Sequence, residues 1–193
     1  MKTIAFRRTP ADAVSIPPAI DLIADSAVVT AGRPLFLPDF AEAWEARLYL
    51  ALRIGRLGKD VAEKFATRYI DGISLALRLV PAGYDDAPHS VAGLFDNCLA
   101  LGQWIPLSAD DKENVLGQTL TVTCGEMSAT VTPGMLRAAQ TVAAVTLYAT
   151  VKTGDIVLPC RLPVAFPASA GMDVTATLEP VSIDNPVLST RIR

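Results

Sequence analysis

The sequence has few of the residues that build metal and redox sites, with one histidine and three cysteines among 193 residues. Cys98, Cys124 and Cys160 are widely spaced, and no Cys-x-x-Cys pair occurs. An odd number of scattered thiols argues against a disulfide framework and against a zinc site. It favours a reducing compartment, so we expect a cytoplasmic protein.

Long apolar runs and concentrations of one charge are also missing. No apolar stretch approaches the roughly 18 residues that a membrane span needs. The amino-terminal segment MKTIAFRRTPADAV lacks the apolar run of a secretion signal. The chain carries 17 Lys and Arg against 20 Asp and Glu, a net charge of −3, and its cations are scattered. We therefore expect a soluble protein that binds neither nucleic acid nor membrane.

What the chain does have is enough apolar residues, about half of the total, to bury one substantial core. We expect a single domain over 1–193. Within it, five prolines divide residues 1–40 into short strands and turns that pack as an amino-terminal lid segment on a core formed by 41–193.

Two segments alternate between apolar and other residues with the period of a β-strand. The apolar positions are Leu48, Leu50, Leu52 and Ile54 in the first, and Ile73, Leu75, Leu77 and Leu79 in the second. Period two places one apolar face on each strand. Glu45 and Arg47 share the other face of the first strand, and Arg78 lies on the face of the second that carries small residues.

Shorter signals indicate further elements. Asp60 followed by Glu63 has the form of a capping box and predicts a helix over 61–69. Residues 120–123 and 127–131 predict a hairpin, and Thr132-Pro133 predicts a helix start with a buried stripe at Leu136, Ala139, Val142 and Ala143. Strands are expected at 156–158, after Gly154-Asp155, and at 174–178. The fold class is therefore α+β and mostly β.

Several short pieces of sequence, spread through most of the chain, together resemble the fumarylacetoacetate hydrolase family in its short single-domain bacterial form. They are PLFLPDF at 34–40, IGRLGK at 54–59, EKFA at 63–66 with RY at 68–69, FD at 95–96, GQWI at 102–105 and GDI at 154–156. The resemblance implies a strongly bent mixed β-sheet with two or three helices, and a homodimer. It also implies a carboxylate-bound Mg²⁺ or Mn²⁺ that acts as a Lewis acid on acylpyruvate-like 2-oxo acids.

The residues that the family uses for chemistry are largely replaced here. By the resemblance, the Glu-x-Glu ligand pair falls on Glu45 and Arg47, and the third ligand, an aspartate, falls on Arg78. A family lysine falls on Gly93. Because two of three expected carboxylates are arginines, we expect no bound divalent metal and no cofactor. The candidate pocket residues are Glu45, Arg47 and Arg78, and the weaker candidates are Gly93, Phe95, Cys98 and Arg161.

Two interpretations of the arginines stay open. Arg47 and Arg78 could form an internal ion-pair cluster with Glu45 in place of the metal, or one arginine could hold a small carboxylate or phosphate. Cys98 is interpreted as an inert core thiol rather than a nucleophile. The only histidine, His89, lies in the loop 84–90 and is interpreted as a solvated side chain rather than part of a relay.

The function that follows is a catalytically impaired family member, a pseudoenzyme with a positively charged pocket. The first alternative is an active hydrolase, decarboxylase or isomerase of acylpyruvate-like 2-oxo acids, including metal-free chemistry in which arginines stabilise an enolate. The second alternative is a structural partner subunit of an active relative. The expected partner is a second copy of the chain or a paralogous hydrolase.

Overall fold

The computed structural model describes residues 1–30, 32–83, 93–181 and 186–193. Within those ranges the chain forms thirteen strands and three helical regions. The strands are β1 Thr3–Phe6, β2 Ile20–Ile23, β3 Val28–Val29, β4 Trp44–Ile54, β5 Ile70–Pro81, β6 Leu99–Leu101, β7 Ile105–Pro106, β8 Leu120–Cys124, β9 Met127–Val131, β10 Ile156–Leu158, β11 Arg161–Ala168, β12 Asp173–Glu179 and β13 Leu188–Arg191. The first helical region is α1 Glu63–Ala66, continued by a 3-10 turn at Thr67–Tyr69, and the second is α2 Asp111–Gly117. The third consists of α3 Pro133–Leu136 and α4 Ala138–Tyr148, which Arg137 separates, and an isolated 3-10 turn lies at Asp25–Ala27.

Nine of the described strands form one mixed, strongly bent sheet with the order β2-β1-β10-β4-β5-β6-β3, in which β11 pairs with β4 and β7 with β5. The pairs β1–β10 and β3–β6 are parallel and the others antiparallel. A smaller antiparallel sheet has the order β13-β12-β8-β9. The expected fold class, mostly β with a bent mixed sheet and two or three helices, is confirmed.

The long antiparallel pair β4–β5 is the centre of the fold. Both strands were expected from their period-two alternation, and their register runs from Trp44 opposite Pro81 to Ile54 opposite Ile70. Leu48, Leu50 and Leu52 lie in the main core, which also includes residues of the smaller sheet and of α4.

The second face of β4–β5 is also buried, which the alternation alone did not indicate. Its residues join a separate apolar cluster with side chains of β1, β6 and β10. The side chains there are mostly small, as at Ala51 and Ala76. Small side chains fill less of the space beside the strands, and the candidate site lies along this face.

The helix after β4 begins later than the capping box predicted. Asp60 has a left-handed backbone with φ of 50°, and the helix starts at Glu63 after an amino-terminal cap residue, Ala62, that offers no side-chain hydrogen bond. Asp60 instead donates its backbone N–H to the carbonyl oxygen of Thr146 at 3.0 Å. A tertiary contact has therefore replaced the local cap.

The hairpin β8–β9 and the helix start at Thr132 are confirmed. The Thr132 hydroxyl accepts the Met135 N–H at 3.3 Å, with Pro133 in the first turn. The continuous helix expected beyond it is interrupted at Arg137, which has φ of 49°. A left-handed residue changes the direction of the chain, so α4 does not continue the helical face of α3. The expected buried stripe is therefore only partly correct. The buried residues of α4 are Ala138, Thr141, Val142, Ala144, Val145 and Thr146.

The strand after Gly154-Asp155 and the one over 174–178 are confirmed as β10 and β12. Neither β11 nor β13 was predicted from the sequence. In the part of the chain described, no helix is both long and apolar enough to cross a membrane.

Candidate anion-binding site

Arg47 and Arg78 occupy directly opposite positions in the β4–β5 register. Both are buried, with 4% and 1% of their surfaces exposed. Like charges in opposite positions of a sheet are destabilising, and a buried guanidinium needs an anionic partner. The fold can therefore bury these two arginines only if nearby carboxylates pair with them.

Glu45 provides the partner for Arg47. Its Oε1 accepts from Nε of Arg47 at 2.6 Å, and its Oε2 accepts from Nη2 at 3.4 Å. The two residues are two positions apart on β4 and so lie on one face of the strand. Glu45 keeps 30% of its side chain exposed, whereas Arg47 keeps 5%.

Arg78 bonds to a different acid from the one that the sequence suggested. Its Nη1 donates to Oδ2 of Asp21 at 2.7 Å, between side chains that are 1% and 5% exposed. Nε of Arg7 donates to Oδ1 of the same carboxylate at 2.6 Å. Among the described contacts, Arg47 thus pairs with Glu45, while Arg78 pairs with Asp21, which β2 brings to it.

The strand β2 explains why Asp21 reaches the site. Ile20 and Leu22 are exposed, while Asp21 and Ile23 are buried. This alternation puts an acid on the inner face and apolar side chains on the outer one. Nothing in the local sequence indicated which face would be covered, so Asp21 was missed.

A cavity of 340 Å³ lies beside these groups. Its lining residues are Arg7, Arg8, Thr9, Ala19, Asp21, Arg47, Tyr49 and Arg161. Four of these side chains are arginines, and Asp21 is the one acid among the described residues that line the cavity. The weaker candidate Arg161 thus joins Arg47 here, and its backbone N–H donates to the Arg8 carbonyl at 2.9 Å.

Arg8 is a fixed part of the cavity wall. Its guanidinium donates to the carbonyl oxygens of Thr9, Asp12, Met135 and Leu136 at 2.8–3.1 Å. The last two carbonyls belong to α3, at the end that lacks intrahelical donors. Burial lowers the pKa of Arg8, but an arginine stays protonated in a protein. Arg8 therefore contributes a permanent positive charge.

Tyr49 is the polar side chain between the arginines, and the sequence did not single it out. It is buried, lies opposite Arg161 in the β4–β11 register, and lies near the Arg78 guanidinium. Burial raises the pKa of Tyr49, against the opposing effect of the Arg78 and Arg47 charges. The phenol is therefore neutral and carries a proton at physiological pH.

Three weaker candidates lie outside the cavity lining. Burial raises the pKa of Cys98 to about 11, so its thiol is protonated at neutral pH and is a poor nucleophile. Phe95 packs edge-to-face with Phe40 and Trp44, at centroid distances of 5.5 and 5.3 Å. Gly93 is a close-packing position, because a Cβ there would lie 2.7 Å from the Leu22 carbonyl oxygen.

The described residues of the site do not form a set of ligands for a divalent cation. Among the described residues, no group of three or more His, Cys, Asp or Glu side chains could hold a metal ion. The two carboxylates that the structure describes at the site, those of Glu45 and Asp21, are bound to guanidinium groups. His89 and the loop 84–90 lie outside the described residues.

The fold and the site together define a bent-sheet protein with an arginine-lined cavity beside its two longest strands. The family model described as fumarylacetoacetate (FAA) hydrolase C-terminal matches residues 2–159. The chain therefore belongs to the fumarylacetoacetate hydrolase family. A comparison with curated protein sequences gives no match.

Solved structures share the fold at low sequence identity. The 5-carboxymethyl-2-hydroxymuconate delta-isomerase of Mycobacterium smegmatis is 20% identical with a TM-score of 0.80, covering 99% of this chain and 78% of that one. Fumarylpyruvate hydrolase of Pseudomonas aeruginosa, solved with Mn²⁺ and pyruvate, is 16% identical with a TM-score of 0.78, covering 100% and 89%. Maleylpyruvate hydrolase of Sphingobium sp. SYK-6 is 17% identical with a TM-score of 0.79, covering 100% and 71%.

Proposed function

We propose that this chain is a family member that has lost metal-dependent catalysis and binds a small anion in the arginine-lined cavity. The observation that carries the proposal is the arrangement of Arg47 and Arg78, which face each other beside the cavity while Glu45 and Asp21 are held in ion pairs. The Pseudomonas hydrolase was solved with Mn²⁺ and pyruvate. In this chain, guanidinium groups would bind the carboxylate instead of a metal ion.

Electrostatics favours an anion over a metal. Two unit charges about 4 Å apart interact with roughly 4 kcal/mol at an effective dielectric constant near 20. Arg47 and Arg78 would each repel a divalent cation by at least this order, whereas Glu45 and Asp21 already interact with arginines. An incoming carboxylate or phosphate would instead gain charge-assisted hydrogen bonds.

Isothermal titration calorimetry tests both halves of the proposal. We expect saturable binding of a small carboxylate or phosphate, and no saturable site for Mg²⁺ or Mn²⁺. Arg47→Ala should weaken anion binding at least tenfold, because one buried charged hydrogen-bond donor is lost. Arg33→Ala, which removes the same charge from an exposed position, is the matched control. A micromolar metal site would contradict the proposal.

A metal-free enzyme is the second candidate, and the position of Tyr49 among the arginines favours it. Guanidinium groups and a neutral phenol are suitable donors for an enolate that forms during C–C bond chemistry. Assays with acylpyruvates and oxaloacetate, with and without chelator, measure this activity. Turnover that resists chelator and disappears in Arg47→Ala would replace the pseudoenzyme proposal with this one.

Homodimerisation is a further proposal, supported by the edge position of β2 in the sheet and by its exposed Ile20 and Leu22. Light scattering coupled to size-exclusion chromatography measures the mass. A monomer at micromolar concentration would contradict it.

A further inference from the structure

A second concave site lies near the opposite ends of β4 and β5 from the arginine-lined cavity. Arg56 follows the last residue of β4 by two positions, and Ile70, the first residue of β5, contacts Lys112. We call this site the basic hollow; its volume is 260 Å³, and it is lined by Arg56, Thr67, Arg68, Ala109, Lys112 and Glu113. It shares no described lining residue with the arginine-lined cavity.

The three cations of the basic hollow come from separate segments of the chain. Arg56 lies in the connection after β4, Arg68 in the 3-10 turn that continues α1, and Lys112 in the first turn of α2. No basic run in the sequence places them together. Their convergence is therefore a product of the tertiary structure.

Aromatic rings restrain the two arginines of the hollow. The Arg56 Cζ lies 5.8 Å from the centroid of the Tyr69 ring, and the Arg68 Cζ lies 4.9 Å from that of Phe65. A cation–π contact restrains a guanidinium but does not neutralise its charge. Both groups therefore keep their positive charge at a limited set of positions.

Lys112 is held by a backbone acceptor. Its Nζ donates to the Ile70 carbonyl oxygen at 2.8 Å. A lysine ammonium has three N–H donors, so this bond leaves two of them for a ligand. The bond also fixes the ammonium beside the start of β5.

The charges in the basic hollow are not balanced by neighbouring acids. Arg53 and Lys59, which precede and follow Arg56 in the sequence, each have an acid within 3.0 Å. The three cations of the hollow form no ion pair with an acid that the structure describes. Glu113 is the one acid among the described lining residues. In a chain with a net charge of −3, this local excess of positive charge attracts an anion.

Size and charge together limit the kind of anion. The 260 Å³ of the hollow is below the range of roughly 300–1,000 Å³ found for small-molecule sites. It therefore suits one anionic group more than a whole organic molecule. A phosphate group carries about −1.5 to −2 charge at pH 7 and has three strong acceptor oxygens, one for each cation. A carboxylate has one charge and two oxygens, and matches the three cations less well.

We infer that the basic hollow binds a phosphate group, either free phosphate or the end of a phosphorylated small molecule, through Arg56, Arg68 and Lys112. Arginine is well suited to this task because its planar group forms paired hydrogen bonds with phosphate oxygens. This site is additional to the arginine-lined cavity and does not depend on the function proposed for it.

Amide NMR spectra recorded during a titration with inorganic phosphate, at constant ionic strength, test the inference. We expect saturable shifts of the Arg68 and Lys112 amide signals, and binding of acetate at least tenfold weaker because one charged contact is lost. The absence of saturable shifts at these amides, or equal affinity for acetate, would overturn the inference. Shifts confined to amides around the arginine-lined cavity would also overturn it, while they would support the proposed function.

A parallel titration with glycerol 3-phosphate distinguishes the two sources of phosphate. Tighter binding of the ester than of inorganic phosphate would support a phosphorylated small molecule as the ligand. Equal or weaker binding of the ester would support free phosphate. Both results agree with a phosphate site, whereas binding of neither compound would overturn it.

Variants test whether the lining cations act as a site. Arg56→Gln and Arg68→Gln should each weaken phosphate binding about fivefold to tenfold, because each removes a charge-assisted hydrogen bond. Lys64→Gln is the matched control: its Nζ lies 4.9 Å from the centroid of the same Phe65 ring, but the residue does not line the hollow. At physiological ionic strength this control should change the affinity less than about twofold. All three positions are exposed, so folding should be preserved. Equal weakening by all three variants would indicate unspecific attraction and overturn the inference.

Discussion

Arg47 and Arg78 face each other directly across the β4–β5 pairing, and both are buried. Such a pair would oppose folding if it stood alone. Each arginine instead has its own acid, Glu45 from the same strand and Asp21 from β2. A single substitution of either acid would therefore leave a buried arginine without that ion pair.

Asp21, which bonds to both Arg7 and Arg78, should be essential for the stability of the fold. Asp21→Asn leaves Arg78 buried without a charged partner at Asp21, and breaking a buried pair costs about 3–5 kcal/mol. We expect a loss near the lower end of that range, because Arg7 is 34% exposed. Urea unfolding measures the loss, with the exposed Asp25→Asn as control. Equal stability of the two variants would show that the Asp21 ion pairs contribute nothing.

Asp155 should make the fold sensitive to acid. Burial alone would raise the pKa of Asp155, but hydrogen bonds from Lys2 and from the Lys152 N–H outweigh it and lower the pKa. A lowered folded-state pKa gives stability that is present above the ordinary value of 3.8 and is lost as pH falls through the folded-state value.

Asp155→Asn should therefore be less stable by about 1–3 kcal/mol at pH 7, and the difference from the wild type should shrink below about pH 4. Unfolding by urea at several pH values measures it. The control is Asp173→Asn, since this exposed residue has only a long ion pair of 3.7 Å. A difference that does not depend on pH would refute the role of the charge.

Gly102 should not tolerate a side chain. A Cβ there would lie 2.4 Å from the Val187 carbonyl oxygen, which is backbone and cannot easily move away. We expect Gly102→Ala to cost about 1–3 kcal/mol. Gly117→Ala is the matched control, because no atom lies within 4 Å of its Cβ position. Thermal unfolding compares the two, and equal melting temperatures would be the contrary result.

The thiols should be inert in the folded protein. Cys98, Cys124 and Cys160 are buried, and burial raises the pKa of Cys98 and of Cys160 to about 11. We expect a thiol reagent to modify them about a hundredfold more slowly than an exposed thiol near its usual pKa of about 8.5. Tyr148→Cys supplies that exposed thiol. Rapid labelling of the unmodified chain at pH 7 would contradict the burial.

The period-two alternation of 48–54 and 73–79 was sufficient to predict β4 and β5, because apolar periodicity depends only on which face a residue occupies. The hairpin β8–β9 and the cap at Thr132 were also predictable, because both depend on residues that are close together in the sequence. The cap at Asp60 was wrong because its N–H bonds to Thr146, more than 80 residues away in sequence. Local propensity carries no information about such a partner.

The candidate site shows the same division. Glu45, Arg47 and Arg78 could be selected from the sequence through the family resemblance, and Arg161 with less support. Whether they bind a ligand stays a prediction. Asp21 and Tyr49 were not predicted. Asp21 lies on a short strand whose buried face the sequence does not indicate, and Tyr49 has the sequence context of an ordinary strand residue.

By itself, the sequence determined the strand periods, the scarcity of metal-binding side chains and the presence of arginine at two positions beside a glutamate. Only the tertiary structure decided that Asp21 bonds to both Arg7 and Arg78, and that Tyr49 lies among cations at a cavity. The physical reason is that ion pairs and cavities form between strands distant in the chain. Their partners depend on sheet order and register, which no local pattern specifies.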